Sequence, residues 1–298
     1  MGLYNKKIEK NSIFYYIMSL PIKNIYIDTK YKSADSISNS NFKIDLPHSL
    51  TFPENSVFYI DDVSIPHSWY VVEGDVNDKL YITVIADDGS LNAVYTVTIQ
   101  PGNYNGIDLA SELAIRINNV VVIPTLTDVF ATSYSVKRNA ISIYLQYSGY
   151  KFKIFSPEEL KTQAIHDRYS NVYDVNNPQD MNEIIGDVEG YYAFPFGYES
   201  ESLNLQTIRN IYIHSSLGNY NTIGPRGESS IIKKIPVNAN KGEYIFDQVL
   251  TSNDFGDCSK QTLRTIKFDL KDSRGNYIQF HGSNLSFSII FSRMDATL

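Results

Sequence analysis

Residues 262–293 read TLRTIKFDLKDSRGNYIQFHGSNLSFSIIFSR, and their periodicity decides the fold class. Ile266, Phe268 and Leu270 alternate with Thr265, Lys267 and Asp269. Leu285, Phe287, Ile289 and Phe291 alternate with Ser286, Ser288, Ile290 and Ser292. A repeat of two sends successive side chains to opposite faces, so each run is a strand with one buried face. The intervening YIQF, residues 277–280, reads as a further short strand, with Gly275 and Gly282 providing the freedom that tight turns require. Strands in this position are expected to close the last sheet of a β-sandwich.

Working outward, strand-like segments precede this region at residues 22–31, 42–46, 56–65, 80–86 and 93–99. Pro47, Pro53, Pro66, Gly74 and Gly89 punctuate them. Further strands fall at 208–214, 230–237 and 243–250. Between the two sets the pattern changes. Asp108 is expected to cap a helix running to Ile117, with Ile107, Ala110, Leu113, Ala114 and Ile117 on its apolar stripe. Strands follow at 134–137, 141–146 and 150–155. Ser156-Pro157-Glu158-Glu159 then opens a short helix reaching about residue 165, since Ser can accept a backbone N–H and Glu159 can reach back. Residues 166–205 lack periodicity and read as a long exposed loop. The expected organisation is an N-terminal arm at 1–20, an all-β jelly-roll sandwich from 21–99 and 206–298, and a small α/β insertion at 100–205 with two short helices and an acidic loop. Without that insertion about eight strands remain in two groups of four, the count of a jelly roll.

Composition sets limits on function. The 298 residues are 43% apolar and 20% charged, ordinary for a folded chain. Aromatic content is 13%, with 23 Tyr and 15 Phe against a single Trp, which suits strands and broad contact surfaces. A lone cysteine, Cys258, excludes an internal disulfide and favours a reducing compartment. No apolar run approaches the roughly 18 residues that a membrane-spanning helix needs, and the apolar segment 12–25 is interrupted by Pro21, so it reads as an arm or first strand and not as a signal peptide. The net charge of −7 disfavours nucleic-acid binding by the chain as a whole, but the charge is uneven. Residues 1–32 carry six lysines against two acids, whereas 157–205 carry ten acids against Lys161 and Arg168.

The search for chemistry is negative: no nucleophile elbow, zinc-protease helix or phosphate-binding loop occurs. The five histidines (His48, His67, His166, His214 and His281) have no metal-site spacing, and Cys258 has no basic neighbour closer than Lys260. Of the carboxylate pairs, Asp61-Asp62 lies mid-strand, where neighbours point to opposite faces; Asp87-Asp88 belongs to a hairpin turn; Glu158-Glu159 belongs to a helix start. Asp167, Asp174, Asn176, Asn177 and Asp180 carry oxygen ligands that calcium accepts, at a spacing that fits no calcium loop. The expectation is therefore no catalytic, cofactor-binding or metal-binding residue, no cofactor and no enzymatic activity. Two other readings compete with a structural role: a glycan- or receptor-binding module, with Trp69, Tyr70, Tyr191, Tyr192 and Tyr198 as stacking residues, and a glycosidase with paired carboxylates on neighbouring strands.

Four segments, in order, carry a family resemblance: 57–70 (VFYIDDVSIPHSWY), 208–215 (IRNIYIHS), 231–237 (IIKKIPV) followed by 242–246 (GEYIF), and 265–291 with Leu270, Asp272, Gly275, Ile278, Gly282 and Leu285. Together they resemble the penton, or vertex minor capsid, proteins of virophages and polinton-like viruses. The resemblance implies a single jelly roll, five copies of which plug each icosahedral fivefold vertex and contact the major capsid protein. It implies a virion protein assembled in the host-cell cytoplasm, and it carries over no catalytic residue. The basic arm is the segment that would meet the genome.

Overall fold

A computed structural model describes residues 16–18, 23–162, 179–186, 190–217, 222–248 and 255–296. The chain divides into two compact units, Met1–Trp69 with Ile208–Leu298, and Tyr70–Thr207. In chain order the first unit supplies β1 (Tyr16–Met18), β2 (Lys23–Asp28), β3 (Asn41–Thr51) and β4 (Ser56–Pro66). The second supplies β5 (Lys79–Ala86), β6 (Asn92–Thr98), α1 (Gly106–Val120), β7 (Phe130–Ser135), β8 (Ala140–Leu145), β9 (Tyr150–Ile154), α2 (Pro157–Thr162), α3 (Asn182–Ile185), β10 (Tyr192–Ala193) and β11 (Tyr198–Glu199). The first unit resumes with β12 (Asn210–Ser215), β13 (Ile231–Pro236), β14 (Tyr244–Gln248), β15 (Gly256–Asp257), β16 (Thr262–Lys271) and β17 (Ser286–Ala296).

Strand pairing in the first unit is that of a jelly roll. One sheet runs β2-β17-β4-β14 and the other β3-β16-β12-β13, all antiparallel. Count the eight long strands in chain order, leaving aside the short β1 and β15. The first then pairs with the eighth, the second with the seventh, the third with the sixth and the fourth with the fifth. A long antiparallel ribbon has been folded over so that its two halves bury one face each. The buried faces are the alternating residues of the C-terminal segment and their partners. Phe268 of β16 meets Phe42 of β3 at 5.3 Å between ring centroids and Phe287 of β17 at 5.1 Å, edge on. Phe52 stacks on Phe291 at 4.5 Å. These rings join the two sheets through geometries that aromatic quadrupoles favour.

Two departures from period-two reading shape this unit. Residues 277–280 make only a single bridge, Tyr277 to Lys271, yet Ile278 and Phe280 are buried. The turn before them is closed by Asp272, whose carboxylate accepts the N–H groups of Arg274 and Asn276, both at 2.9 Å, and Gly275 takes φ +88° there. The segment plugs the core without joining a sheet. In β4 a bulge places Asp61 and Asp62 together opposite Ser288, between the Val63–Phe287 and Ile60–Ile289 pairs. The expected opposite-face arrangement of this carboxylate pair is thereby corrected, because an extra residue breaks the alternation. The Ile60 carbonyl at the bulge accepts from Lys233 Nζ at 3.3 Å, and that buried ammonium also pairs with Asp247 at 2.8 Å.

The second unit has its own core. Its sheets run β10-β9-β5-β6 and β11-β8-β7, and α1 packs Leu109, Ala110, Leu113 and Ile117 inward. Here the expected boundary at residue 99 moves: β5 and β6 pair with each other and β5 with β9, so residues 79–98 belong with the second unit and not with the jelly roll. β5 is apolar along nearly its whole length, as suits a central strand buried on both faces, and its pairing with β6 and β9 decides the unit. The helix also starts earlier than expected. Asn105 is its cap, accepting the N–H of Asp108 at 2.9 Å, and Ile107 faces solvent. Asn118 fixes the other end to the sheet by accepting the Phe130 N–H and donating to the Phe130 carbonyl, each at 2.8 Å. The capping box at α2 forms as read, Ser156 and Glu159 exchanging side-chain-to-backbone bonds of 3.3 and 3.1 Å. Of the expected loop 166–205, residues 166–178 lie outside the described residues, and α3, β10 and β11 occupy part of the rest.

The Lys233–Asp247 pair allows an asymmetric test. Asp247→Ala strands a buried ammonium and should cost about 3 kcal/mol. Lys233→Met removes the charge itself and should cost about 1 kcal/mol, mostly through the Ile60 carbonyl left unbonded. Urea unfolding of the two variants checks the ordering; equal costs would contradict it.

Candidate functional site

Two of the five histidines and the one thiol are buried within the fold. His48 and His281 are exposed, and His166 lies outside the described residues. His67 is buried, its Nδ1–H donating to the Ala239 carbonyl at 2.9 Å and its ring lying 4.2 Å from that of Trp69. His214 is buried with Nδ1 2.9 Å from Ser230 Oγ. Cys258 is fully buried, and desolvation, reinforced by Asp257, pushes its thiol up to about 12. A thiol held protonated in this way is no nucleophile at neutral pH. Among the described residues no group of three or more His, Cys, Asp or Glu side chains is placed to hold a metal ion. Asp180 accepts the N–H of Asn182 at 3.1 Å, while Asp167, Asp174, Asn176 and Asn177 lie outside the described residues.

Carboxylates do converge in one place. An open cavity of about 500 Å³ is lined by Asp28, Asp45 and Asp62 together with Tyr26, Tyr31 and Ser288. Each of these carboxylates is already engaged. Asp45 accepts the hydroxyls of Ser33 and Thr265, both at 2.6 Å, and these bonds hold it below the usual carboxylate range. Asp62 accepts the Ser288 hydroxyl, and Asp28 caps the 3₁₀ turn Thr29–Tyr31 by accepting the Lys30 N–H. General acid catalysis needs a carboxyl pushed upward so that it keeps its proton. Asp45 is pushed the other way.

The five aromatic residues considered for sugar stacking do not form one platform. Trp69 is 2% exposed and Tyr198 1%, so neither presents a face to solvent. The Tyr198 hydroxyl donates to the Ile185 carbonyl at 2.8 Å. Tyr192 is half-buried between the rings of Phe152 and Tyr198, and Tyr70 is half-buried. Tyr191 alone of the five is well exposed, with the Lys151 and Lys153 ammonium groups 5.6 and 5.7 Å from its centroid.

An exposed aromatic surface lies on the jelly roll; Tyr191, Phe194 and Phe196, also exposed, belong to the second unit. Across the outer face of the sheet β2-β17-β4-β14, the register aligns Phe246, Ser64, Ser286 and Asp28 in one row, and Gln248, Asp62, Ser288 and Tyr26 in the next. The middle of the face is polar and the edges are aromatic. Tyr26 on β2 is 80% exposed; on β14 Phe246 is 66% exposed, and its ring stacks with that of Tyr244 at 6.3 Å between centroids. Ile245 between them is fully buried, so the two rings point away from the core by strand alternation. Beside β2, where the sandwich opens toward β3, Ile25, Leu46, Pro47 and Leu50 line a groove of about 230 Å³ rimmed by Lys23 and His48. Solvated isolated apolar residues need no explanation; a stacked aromatic pair on an edge strand does. Tyr244 and Phe246 are not among the functional residues expected from the sequence. Their period-two spacing was readable, but only the strand order reveals that β14 is an edge.

No family model matches the sequence, and no curated protein matches it. Among solved structures, the chain is similar to the crystal structure of the selenomethionine-labelled mavirus penton protein, with 9% identity and a TM-score of 0.48. The alignment covers 92% of this chain and all of that one.

The two buried histidines set an acid response. Burial pushes both imidazoles below their ordinary value of 6.5, with Lys241 lowering His67 further and Lys271 lowering His214. An unfolded chain therefore binds more protons than the folded one once pH drops below about 6.5, and stability falls from there through the folded values. Carboxylates held low, such as Asp45 and Asp257, add their loss only below about 4. The urea midpoint should thus drop between about pH 7.5 and about pH 5.5, and the double variant His67→Gln/His214→Gln should flatten the drop. An unchanged slope in that variant would show that other groups govern it.

Proposed function

We propose that this chain is a structural capsid protein that assembles into homopentameric pentons at icosahedral fivefold vertices and contacts the major capsid protein. The observation that carries the reading is the distribution of aromatic side chains at both edges of one jelly-roll sheet, on a unit whose carboxylates, buried histidines and thiol are already engaged in holding the fold. A ring of identical subunits needs a heterologous interface, in which two different patches of each copy meet. Aromatic edges suit this, since rigid rings bury large area at low entropic cost and Tyr keeps a polar tip. The jelly roll alone hosts many functions. The four sequence segments that resemble vertex proteins of virophages and polinton-like viruses narrow the reading to a capsid. On this reading the protein belongs to the virion and assembles in the host cytoplasm.

Two further parts follow from charge and connectivity. The lysine-rich arm, most of which lies outside the described residues, is read as facing the genome, where phosphate would balance its charge. The second unit is inserted between the third and fourth long strands of the jelly roll and is read as displayed on the particle exterior.

Light scattering on the purified chain should give five times its 33.9 kDa mass. Co-expression with the major capsid protein should place it in the resulting particles at the vertices. A chain that stays single at all concentrations and never enters particles made by its partner would overturn the reading.

A further inference from the structure

We propose that the subunit contact is made by the Tyr244–Phe246 ring pair of one copy seated in the β2–β3 groove of the next copy. The inference rests on the ring-forming reading given above and specifies its interface. Both features belong to the jelly-roll unit, and they lie at opposite edges of one sheet, since β14 and β2 are the outermost long strands in the order β2-β17-β4-β14. Patches on opposite edges cannot pair with themselves across a twofold axis without leaving both other edges free. They pair head to tail, which is the arrangement a ring requires.

The two patches complement each other in shape and in charge. The ring pair stands out from an edge strand whose inward neighbour, Ile245, is buried in the core, so both rings are turned outward. The groove is walled by Ile25, Leu46, Pro47 and Leu50, and its volume of about 230 Å³ is on the scale of aromatic side chains. Glu243 flanks Tyr244, and Asp62 lies opposite Gln248 in register. Lys241 in the preceding turn offsets Glu243, and Asp247 is balanced by Lys233, which leaves Asp62, on β4 one strand in from the edge, as the acid whose charge is not offset. The groove rim carries Lys23 and His48 and no acid, while Asp28 and Asp45 line the neighbouring cavity, which shares Tyr26 with it. Seating the rings would bury apolar surface at both ends of each subunit and place opposite charges at the margins, which steers encounter and fixes register.

The test uses the full chain and two variants altered only at exposed positions, Phe246→Asp on the knob side and Lys23→Glu/His48→Glu on the groove side. Each variant should keep the wild-type melting profile and lose the ring, giving a single chain by light scattering. Mixed in equal amounts, they should form one-to-one dimers and no larger species, because each retains one working patch and the two working patches are complementary. If the wild type forms rings and either variant still does, or if the mixture fails to pair, this interface is wrong and the ring reading stands. If the wild type itself is a single chain, the ring reading fails and takes the interface with it.

Discussion

Everything in the first unit depends on β17 lying between β2 and β4. A ribbon of antiparallel strands gains nothing by remaining flat, since one apolar face would stay in water. Folding it over buries that face, and the fold is secured where the last long strand pairs with the first on one side and the third on the other. Phe287 and Phe291 then meet the rings of Phe268 and Phe52 from the opposite side of the sandwich, and Ile289 is buried between them. Because closure joins distant segments of sequence, the unit is bound by long-range pairing, and the long excursion between Trp69 and Ile208 is tolerated as an insertion in one connection.

The same closure creates the surface. A two-sheet sandwich that is not a closed barrel leaves edges, and edges are hazards unless covered, charged or used. Here the Ile60 carbonyl at the β4 bulge accepts from Lys233, and β14, an edge strand among the described residues, carries stacked rings. Protection of the core and exposure of the aromatics thus come from one alternation: Ile245 turns inward and Tyr244 and Phe246 turn outward. Among the described residues, Asp28, Asp45, Asp62 and Asp272 are engaged by turns, caps and hydroxyl bonds.

Much of this was legible in the sequence where local rules act alone. Alternation from Thr262 to Arg293 identified the closing strands, and Ser156 with Glu159 identified a capping box. The proline and glycine punctuation marked the ends of several strands, among them Pro66 at the end of β4 and Gly89 in the turn between β5 and β6. What failed depended on partners. The apolar run of β5 signals burial on both faces but does not say in which unit, so residues 79–98 were placed with the wrong neighbours. The Asp61-Asp62 bulge is invisible until β17 supplies the opposing register. Ile107 faces water because at 100° per residue it lies well off the stripe of Leu109, Leu113 and Ile117 that the sheet buries. The aromatic edge could be read as a strand but not as an edge, since edge and centre are properties of the whole sheet.

The most direct measurement is amide hydrogen exchange of the protein at high and at low concentration. Assembly through the sheet edges predicts that amides of β2 and β14 slow markedly in the concentrated sample while those of β16 and β12, inside the second sheet, remain unchanged. Equal exchange at the two edges across all concentrations, with protection appearing instead in the second unit alone, would contradict the account.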